Sequence, residues 1–408
     1  MKVLLVLTYY RPHVSGLTLY VQRLGKALAA QGHRVTVLTS HYERTLPHQE
    51  EIDGVTVIRV PVLFRISKGV IMPTFWWTAL RLIRQHDVVS IHLPQFEAGL
   101  LGLLCRLARR PMVLTYHCDL ELPPGLFNRI VDRVVAVMNN LGGALADAIV
   151  AYTHDFANHS PFLRRFRHKV RVIPPPIELP PATAEGLALM RQRIPADGRP
   201  IVGFAARFAA EKGVEHLLDA VPLMLQELPD LHVAFAGQYE DVLCERVWQD
   251  CQPRIQRWQE HLTFLGVIPP AEMANFFTLC DVLTVPSVNS TESFGLVQVE
   301  AMLCGTPVVA SNLPGVREPI RMTGMGEIVP IADPTALAQA VVRVIRNKAR
   351  YVRPYDEIAG RFRLDHTRSE YERLFADVLS PGPHRLSAGE AVRPPTAALE
   401  PAESAKGN

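Results

Sequence analysis

Glu292 and Glu300 stand eight positions apart in TESFGLVQVEAMLCGTPVVAS (291–311), around an apolar stretch rich in helix formers. The local pattern reads as a strand ending at Pro286 and Ser287, a loop SVNSTESFG, and a helix LVQVEAMLCG closed by Gly305. Glu292 then falls in the loop and Glu300 in the second helical turn. Backbone N–H groups of Phe294, Gly295 and Leu296 are the unpaired donors at such a helix start, where the dipole also favours an anion. Gly295, lacking a Cβ, lets a phosphate come close. On periodicity alone, Glu292 equally suits a helix N-terminus and Glu300 a solvent-facing position.

Two cations follow a strand in IVGFAARFAAEKG (201–213): Arg207 and Lys212. Held in place, such a pair stabilises a pyrophosphate leaving group as its bond breaks, without a metal. The same residues also fit a solvated surface. In MVLTYHCD (112–119), His117 and Asp119 close another strand. A lone histidine is usually structural, but the carboxyl end of a strand is where open α/β sheets bind ligands. Asp119 is the only carboxylate beside it. There is no convincing Asp-x-Asp metal loop, since Asp119-Leu120-Glu121 is only a weak echo, and no carboxylate stands out as a covalent nucleophile.

The elements that must position these groups alternate in the βαβ rhythm of a parallel sheet covered on both faces. β-branched runs at 3–8, 34–40, 55–61, 88–93, 112–117, 148–153 and 170–174 predict one domain over 1–174, with helices near 17–31, 97–109 and 126–146. PPPIELPPAT (174–183) is too rich in proline for a central strand or a helix interior and predicts a linker over 175–183. The rhythm restarts at 201–206, 231–237, 261–266, 281–287, 306–311 and 326–330, giving a second domain over 184–361. A helix over 362–380 shows Phe362, Tyr371, Leu374 and Leu379 on an apolar face, and the tail 381–408 has the composition of a disordered segment. The expectation is an α/β protein of two doubly wound domains facing a cleft.

Composition agrees with this reading. The 408 residues carry 43 Lys or Arg against 40 Asp or Glu, a balance that points away from a nucleic-acid partner. The six cysteines show no CxxC spacing, which argues against a zinc knuckle or a disulfide framework and fits a reducing cytoplasm. MKVLLVLTYYRPH reads as a first strand, its apolar run being too short for a signal segment.

ESFGLVQVEAMLCGTPVVAS resembles the Glu-x7-Glu signature of glycosyltransferase family 4, retaining enzymes of the GT-B fold that use nucleotide-activated sugars. The resemblance extends over about residues 1–378. It implies that Glu292 meets hydroxyls of the donor sugar, that the amides of Ser293 to Leu296 hold the diphosphate, and that Glu300 holds the ribose. Arg207 and Lys212 match the family's Arg and Lys, although Ala206 stands where glycine is usual. LTYHCD is similar to the T-x-H-x-D segment, which would set His117 beside the transferred sugar.

RPHVSGLTLYVQRLGKALAAQGH resembles the family's first loop and helix, with Ser15 in place of its first glycine and Gly16 keeping the second. Val267 and Ile268 fall where the backbone meets the nucleobase. The resemblance implies a hexosyl unit moved from a nucleotide-diphosphate sugar to an acceptor hydroxyl on a lipid-linked or glycan acceptor, with no cofactor and no essential metal. The final helix would cross back to the first domain. A GT-B-like sugar-nucleotide epimerase and a catalytically silent nucleotide-sugar-binding protein are the alternatives. FRISKGVIMPTFWWTALRLIRQ (64–85) and LRRFRHKVR (163–171) mix aromatic and basic residues and suggest peripheral contact with an anionic membrane at the inner face of the plasma membrane, although the first equally reads as a core helix and the second as a solvated helix end.

Overall fold

The computed structural model describes residues 1–66, 69–122, 125–195, 198–242 and 245–380; the tail expected to be disordered, 381–408, lies outside them. Among the described residues, ten strands precede the proline-rich segment: β1 (Lys2–Val6), β2 (Arg34–His41), β3 (Gln49–Ile52), β4 (Val55–Pro61), β5 (Phe64–Ile66), β6 (Gly69–Ile71), β7 (Val88–Leu93), β8 (Met112–Tyr116), β9 (Ala148–Ala151) and β10 (Val170–Val172). Eight of them form one sheet in the order β10-β9-β8-β7-β1-β2-β4-β3, while β5 and β6 make a separate two-stranded antiparallel sheet. Every side chain of β7 and β8 is buried, which is why both read as predominantly apolar runs, interrupted only by Ser90, His92 and Thr115.

The edge strand β3 runs antiparallel to β4 and has no counterpart in the sequence-based expectation. Its residues, QEEI, offer no apolar face; pairing to β4 and a 2.5 Å ion pair from Glu50 to Arg59 hold it.

Six strands follow: β11 (Ile201–Ala205), β12 (His232–Ala236), β13 (Leu262–Gly266), β14 (Val282–Val285), β15 (Val308–Ser311) and β16 (Gly326–Val329). They form one all-parallel sheet in the order β13-β12-β11-β14-β15-β16. Both sheets are doubly wound, and the strand order reverses between β1 and β7 in the first and between β11 and β14 in the second. Ligands of such sheets sit beyond the carboxyl ends of the strands at that reversal. The segments after β11 and β14 are those that carry Arg207, Lys212 and Glu292.

Two segments tie the halves together. In 174–183, Ile177 is buried and bridges to Arg363. The helix Leu364–Leu379 packs on the helix Gly16–Ala30, with the Tyr371 hydroxyl 2.7 Å from that of Tyr20 and 2.8 Å from Thr115 Oγ1. Tyr371 and Leu374 face inward as expected, joined by Phe375 and Val378, whereas Leu379 is exposed. Phe362 precedes this helix and is buried against Phe294.

The two basic-aromatic stretches resolve differently. Within 64–85, the helix Phe75–Gln85 turns Phe75, Ala79, Leu82 and Ile83 into the core and leaves Trp77 outside. Within 163–171, Lys169 Nζ donates to the carbonyls of Gly143, Ala144 and Ala146, so it caps the helix Leu126–Leu145. Among the described residues no helix is long and apolar enough to cross a membrane.

Candidate active site

Two helix starts face each other across the cleft. Gly16 opens the helix Gly16–Ala30, Leu296 opens the helix Leu296–Leu303, and a Cβ placed on Gly16 would lie 3.8 Å from Leu296. The first-turn amides of both helices lack intrahelical partners, so two positive dipole ends converge on one spot. The missing first glycine is also explained. Ser15 is extended (φ −152°), a conformation open to any residue, and its hydroxyl caps the helix by accepting from Thr18 N–H. Ala206 likewise is not among the residues with positive φ, so the glycine usual there is not required in this chain.

Glu292 does more than sit in the loop. Its Oε1 accepts from the Gly295 amide at 3.0 Å and its Oε2 from Lys212 Nζ at 2.5 Å. Gly295, at φ +72°, makes the left-handed turn into the helix. Lys212 is therefore a positioned cation rather than a solvated one. Its neighbour Gly213 (φ +65°) passes so close to the β14 end that a Cβ would lie 2.1 Å from the Pro286 carbonyl.

Arg207 pairs at 2.9 Å with Glu211. Burial works to raise the Glu211 carboxyl pKa, and the Arg207 charge and hydrogen bond outweigh it, so the net direction is down. The Arg207 charge is also felt by a group of the first domain. His13, in the loop before Ser15, is pushed below the usual histidine value first by burial and then by the Arg207 charge.

Glu300 is the largest departure from expectation. It is 5% exposed, and its Oε1 accepts from Arg23 NH2 at 2.6 Å; Arg23, 6% exposed, also donates to the Pro176 carbonyl at 3.3 Å. A side chain of the first domain thus holds the carboxylate expected to hold ribose. Oε2 of Glu300 has no partner among the described residues.

His117 follows β8 and is buried with both ring nitrogens engaged: Nε2 with His92 Nδ1 at 2.9 Å and Nδ1 with the Tyr152 hydroxyl. Burial, then the adjacent His92, holds its pKa well below the usual range, and burial takes His92 to about 3. Both rings are neutral at pH 7, and a sugar hydroxyl gains a bond to the His117 ring only by displacing one of these partners. Asp119 accepts from Ser160 Oγ at 2.6 Å and Tyr116 hydroxyl at 2.8 Å, which makes it a structural anchor of this corner.

The same segment closes the cleft. Ser293 Oγ donates to the His117 carbonyl, the Asp119 amide donates to the Ser290 carbonyl at 3.2 Å, and Asp155 takes a two-pronged bond from Arg317 at 2.8 and 2.7 Å. Phe294 is buried between Tyr152 and Phe362. Val267 and Ile268 follow the end of β13, the first exposed and the second buried.

The structure thus brings Gly16, Arg207, Lys212, Glu292, Ser293, Phe294, Gly295 and Leu296 to one cleft. Arg23, His13, His92 and Tyr152 escaped sequence reasoning. The positions of His92 and Tyr152 at the carboxyl ends of strands were the local signals; Arg23 pairs with a residue far along the chain, and His13 packs on Tyr9 and Tyr42 in its own domain.

Two doubly wound domains that meet at the helix starts of Gly16 and Leu296 have the architecture of the GT-B fold. The family model described as "Glycosyl transferases group 1" matches residues 188–359, and "Glycosyl transferase 4-like domain" matches 15–176. The chain belongs to glycosyltransferase family 4. It is 24% identical over 403 residues to the phosphatidyl-myo-inositol mannosyltransferase of Mycobacterium leprae, covering 94% of this chain and 98% of the relative. It is 28% identical over 377 residues to the D-inositol 3-phosphate glycosyltransferase of Xylanimonas cellulosilytica, covering 83% and 85%. Among solved structures, Anabaena HepE in complex with UDP-glucose superposes with a TM-score of 0.75 at 18% identity, covering 92% of this chain and 99% of that one.

Proposed function

We propose that this glycosyltransferase is a retaining, metal-independent hexosyltransferase that moves a hexosyl unit from a nucleotide-diphosphate sugar to an acceptor hydroxyl, lipid-linked or on a glycan. The observation that carries the reading is the pair of facing helix starts at Gly16 and Leu296 with Arg207 and Lys212 beside them. Two helix starts, with Arg207 and Lys212 each held in place by a carboxylate partner, then offer positive groups to a diphosphate, and their benefit grows as the glycosidic bond breaks and charge collects on the leaving phosphate.

In this reading Glu292 takes donor-sugar hydroxyls with the lone pairs that Lys212 and the Gly295 amide leave free. Glu300 takes the ribose through Oε2, the base lies at Val267 and Ile268, and His117 meets the sugar by exchanging one of its ring partners. The acceptor oxygen bonds to the anomeric carbon on the face the phosphate leaves, the carbon–phosphate-oxygen bond breaks, and the acceptor proton passes to the departing phosphate oxygen. Closure by the Ser293–His117 and Asp119–Ser290 contacts keeps water from competing.

The relative named as a phosphatidyl-myo-inositol mannosyltransferase supports a lipid-linked acceptor, and such an acceptor would place the enzyme on the cytoplasmic side, at the inner face of the plasma membrane. Thermal-shift and product analysis over GDP-, UDP- and ADP-hexoses tests the reading. Expected is stabilisation by one donor and an axial product linkage from an α-linked donor, unchanged by chelator. An inverted product, or sugar isomerisation without acceptor, refutes it.

A further inference from the structure

The helix Leu126–Leu145 carries one apolar stripe along its whole length, and the protein covers only half of it. In the second half, Met138, Leu141 and Leu145 lie under the helix Ala98–Leu107, which approaches through glycines. A Cβ on Gly99 would stand 2.9 Å from Leu141 and 3.0 Å from Met138, and one on Gly102 2.9 Å from Leu145. The covering helix begins opposite Gly142, since a Cβ there would meet Ala98 at 3.2 Å. Upstream on the same stripe, Phe127, Ile130 and Val134 are 55%, 57% and 41% exposed. The covering helix shows its own outer stripe of Leu100, Leu103 and Leu107, continued by Phe96 just before its start, all exposed. Next to it packs the helix Phe75–Gln85, with Trp77 outermost.

This apolar face is fringed by one sign of charge. The three helices hold five arginines, Arg81, Arg84, Arg106, Arg129 and Arg133, against one carboxylate, Asp132, in a chain whose overall balance is 43 to 40. Arg129, Arg133, Arg81 and Arg84 are exposed and make no ion pair with any described residue.

We propose that this face docks on an anionic lipid bilayer, with the first half of the helix Leu126–Leu145 lying in the headgroup plane. Aliphatic and aromatic side chains enter the acyl boundary while arginines stay at phosphate level, the arrangement that holds amphipathic helices at membrane surfaces. A second copy of the chain suits it poorly, because a two-fold contact would bring arginine against arginine. The placement matches a lipid-linked acceptor, the reading on which this proposal rests for its purpose. Asp119 and Glu121, which touch Ser290 across the cleft, lie only a few residues before the helix, so a headgroup beside His117 and a tail in the bilayer are reached from one lip.

Flotation of the full chain with phosphatidylcholine–phosphatidylglycerol vesicles tests it. Expected is binding to these vesicles, at least tenfold weaker binding to phosphatidylcholine alone, and loss of binding in Ile130→Glu/Val134→Glu. Arg129→Gln/Arg133→Gln, which removes two surface charges without touching the core, should weaken binding about fivefold per charge. Unfolding temperature and nucleoside-diphosphate binding by calorimetry should match wild type in both. No flotation at low salt overturns the proposal. So does equal flotation of the variants, or a wild-type dimer that Ile130→Glu/Val134→Glu makes monomeric. Flotation by a chain that binds no nucleotide supports this face while counting against the donor site.

Discussion

Removing the Glu300 carboxylate should separate two jobs that share one side chain. Glu300→Ala leaves the Arg23 guanidinium, 6% exposed, with only the Pro176 carbonyl at 3.3 Å. Breaking one side of a buried ion pair costs roughly 3–5 kcal/mol, because the surviving charge stays desolvated. A loss of that size lowers the unfolding temperature by about 10 °C in a domain of this length. Arg23→Met/Glu300→Leu removes both charges and should recover most of that stability, since apolar replacements of a buried pair are near neutral.

Nucleotide affinity should behave otherwise. Both Glu300 variants lose the ribose contact, worth about 1.5–3 kcal/mol for a charged hydrogen bond, or roughly 10- to 100-fold in Kd. Neither should discriminate a nucleoside diphosphate from its 2′,3′-dideoxy analogue, whereas wild type should. Differential scanning calorimetry and titration calorimetry read the two effects. If Glu300→Ala melts within a degree of wild type, the buried pair is not structural. If it keeps wild-type preference for the ribose hydroxyls, Oε2 is not the ribose acceptor.

Lys212→Ala should lower kcat by about 10²–10³, the scale of one preorganised electrostatic group, with little change in secondary structure by circular dichroism. Gly213→Ala should be severely destabilising by thermal melt, because a Cβ 2.1 Å from the Pro286 carbonyl at φ +65° demands backbone movement, while Gly16→Ala should fold normally. Ser15→Ala should cost about 1 kcal/mol in a denaturant melt and Ser15→Gly only a few tenths. Stability should fall as pH drops below 6.5. His92 titrates at about 3 when folded and near 6.5 when unfolded, so the unfolded chain takes the proton first and folding loses about 1.4 kcal/mol per pH unit over that window. His117 adds in the same direction. The Asp155–Arg317 clasp acts on the acid side: its carboxyl lies below 3.8 when folded, so its contribution is present above that value and lost as pH falls below it. A flat stability profile from pH 7 to 4 would show that the histidines are not held neutral.

By itself the sequence determined the two doubly wound sheets, because buried parallel strands must be continuous apolar runs and the proline-rich 174–183 can be neither strand core nor helix. It also determined the loop-to-helix element, since Glu292, Gly295 and Glu300 lie within one short stretch whose local conformation follows from helix formers and a glycine. Local patterning could not supply β3, whose QEEI has no apolar face and exists because β4 offers a partner. Nor could it supply the partners of the candidate site.

Glu300 is 277 positions from Arg23, His117 is 25 from His92 and 35 from Tyr152, and Asp155 is 162 from Arg317. Such pairs form only when two sheets and a returning helix fix the distances. Charge state followed the same division: residue type set which groups can titrate, while burial and neighbours brought together by folding made His117 and His92 neutral and kept Glu211 ionised. The bare half-stripe of the helix Leu126–Leu145 was decided last of all, because whether an apolar face is core or surface depends on where the neighbouring helix begins.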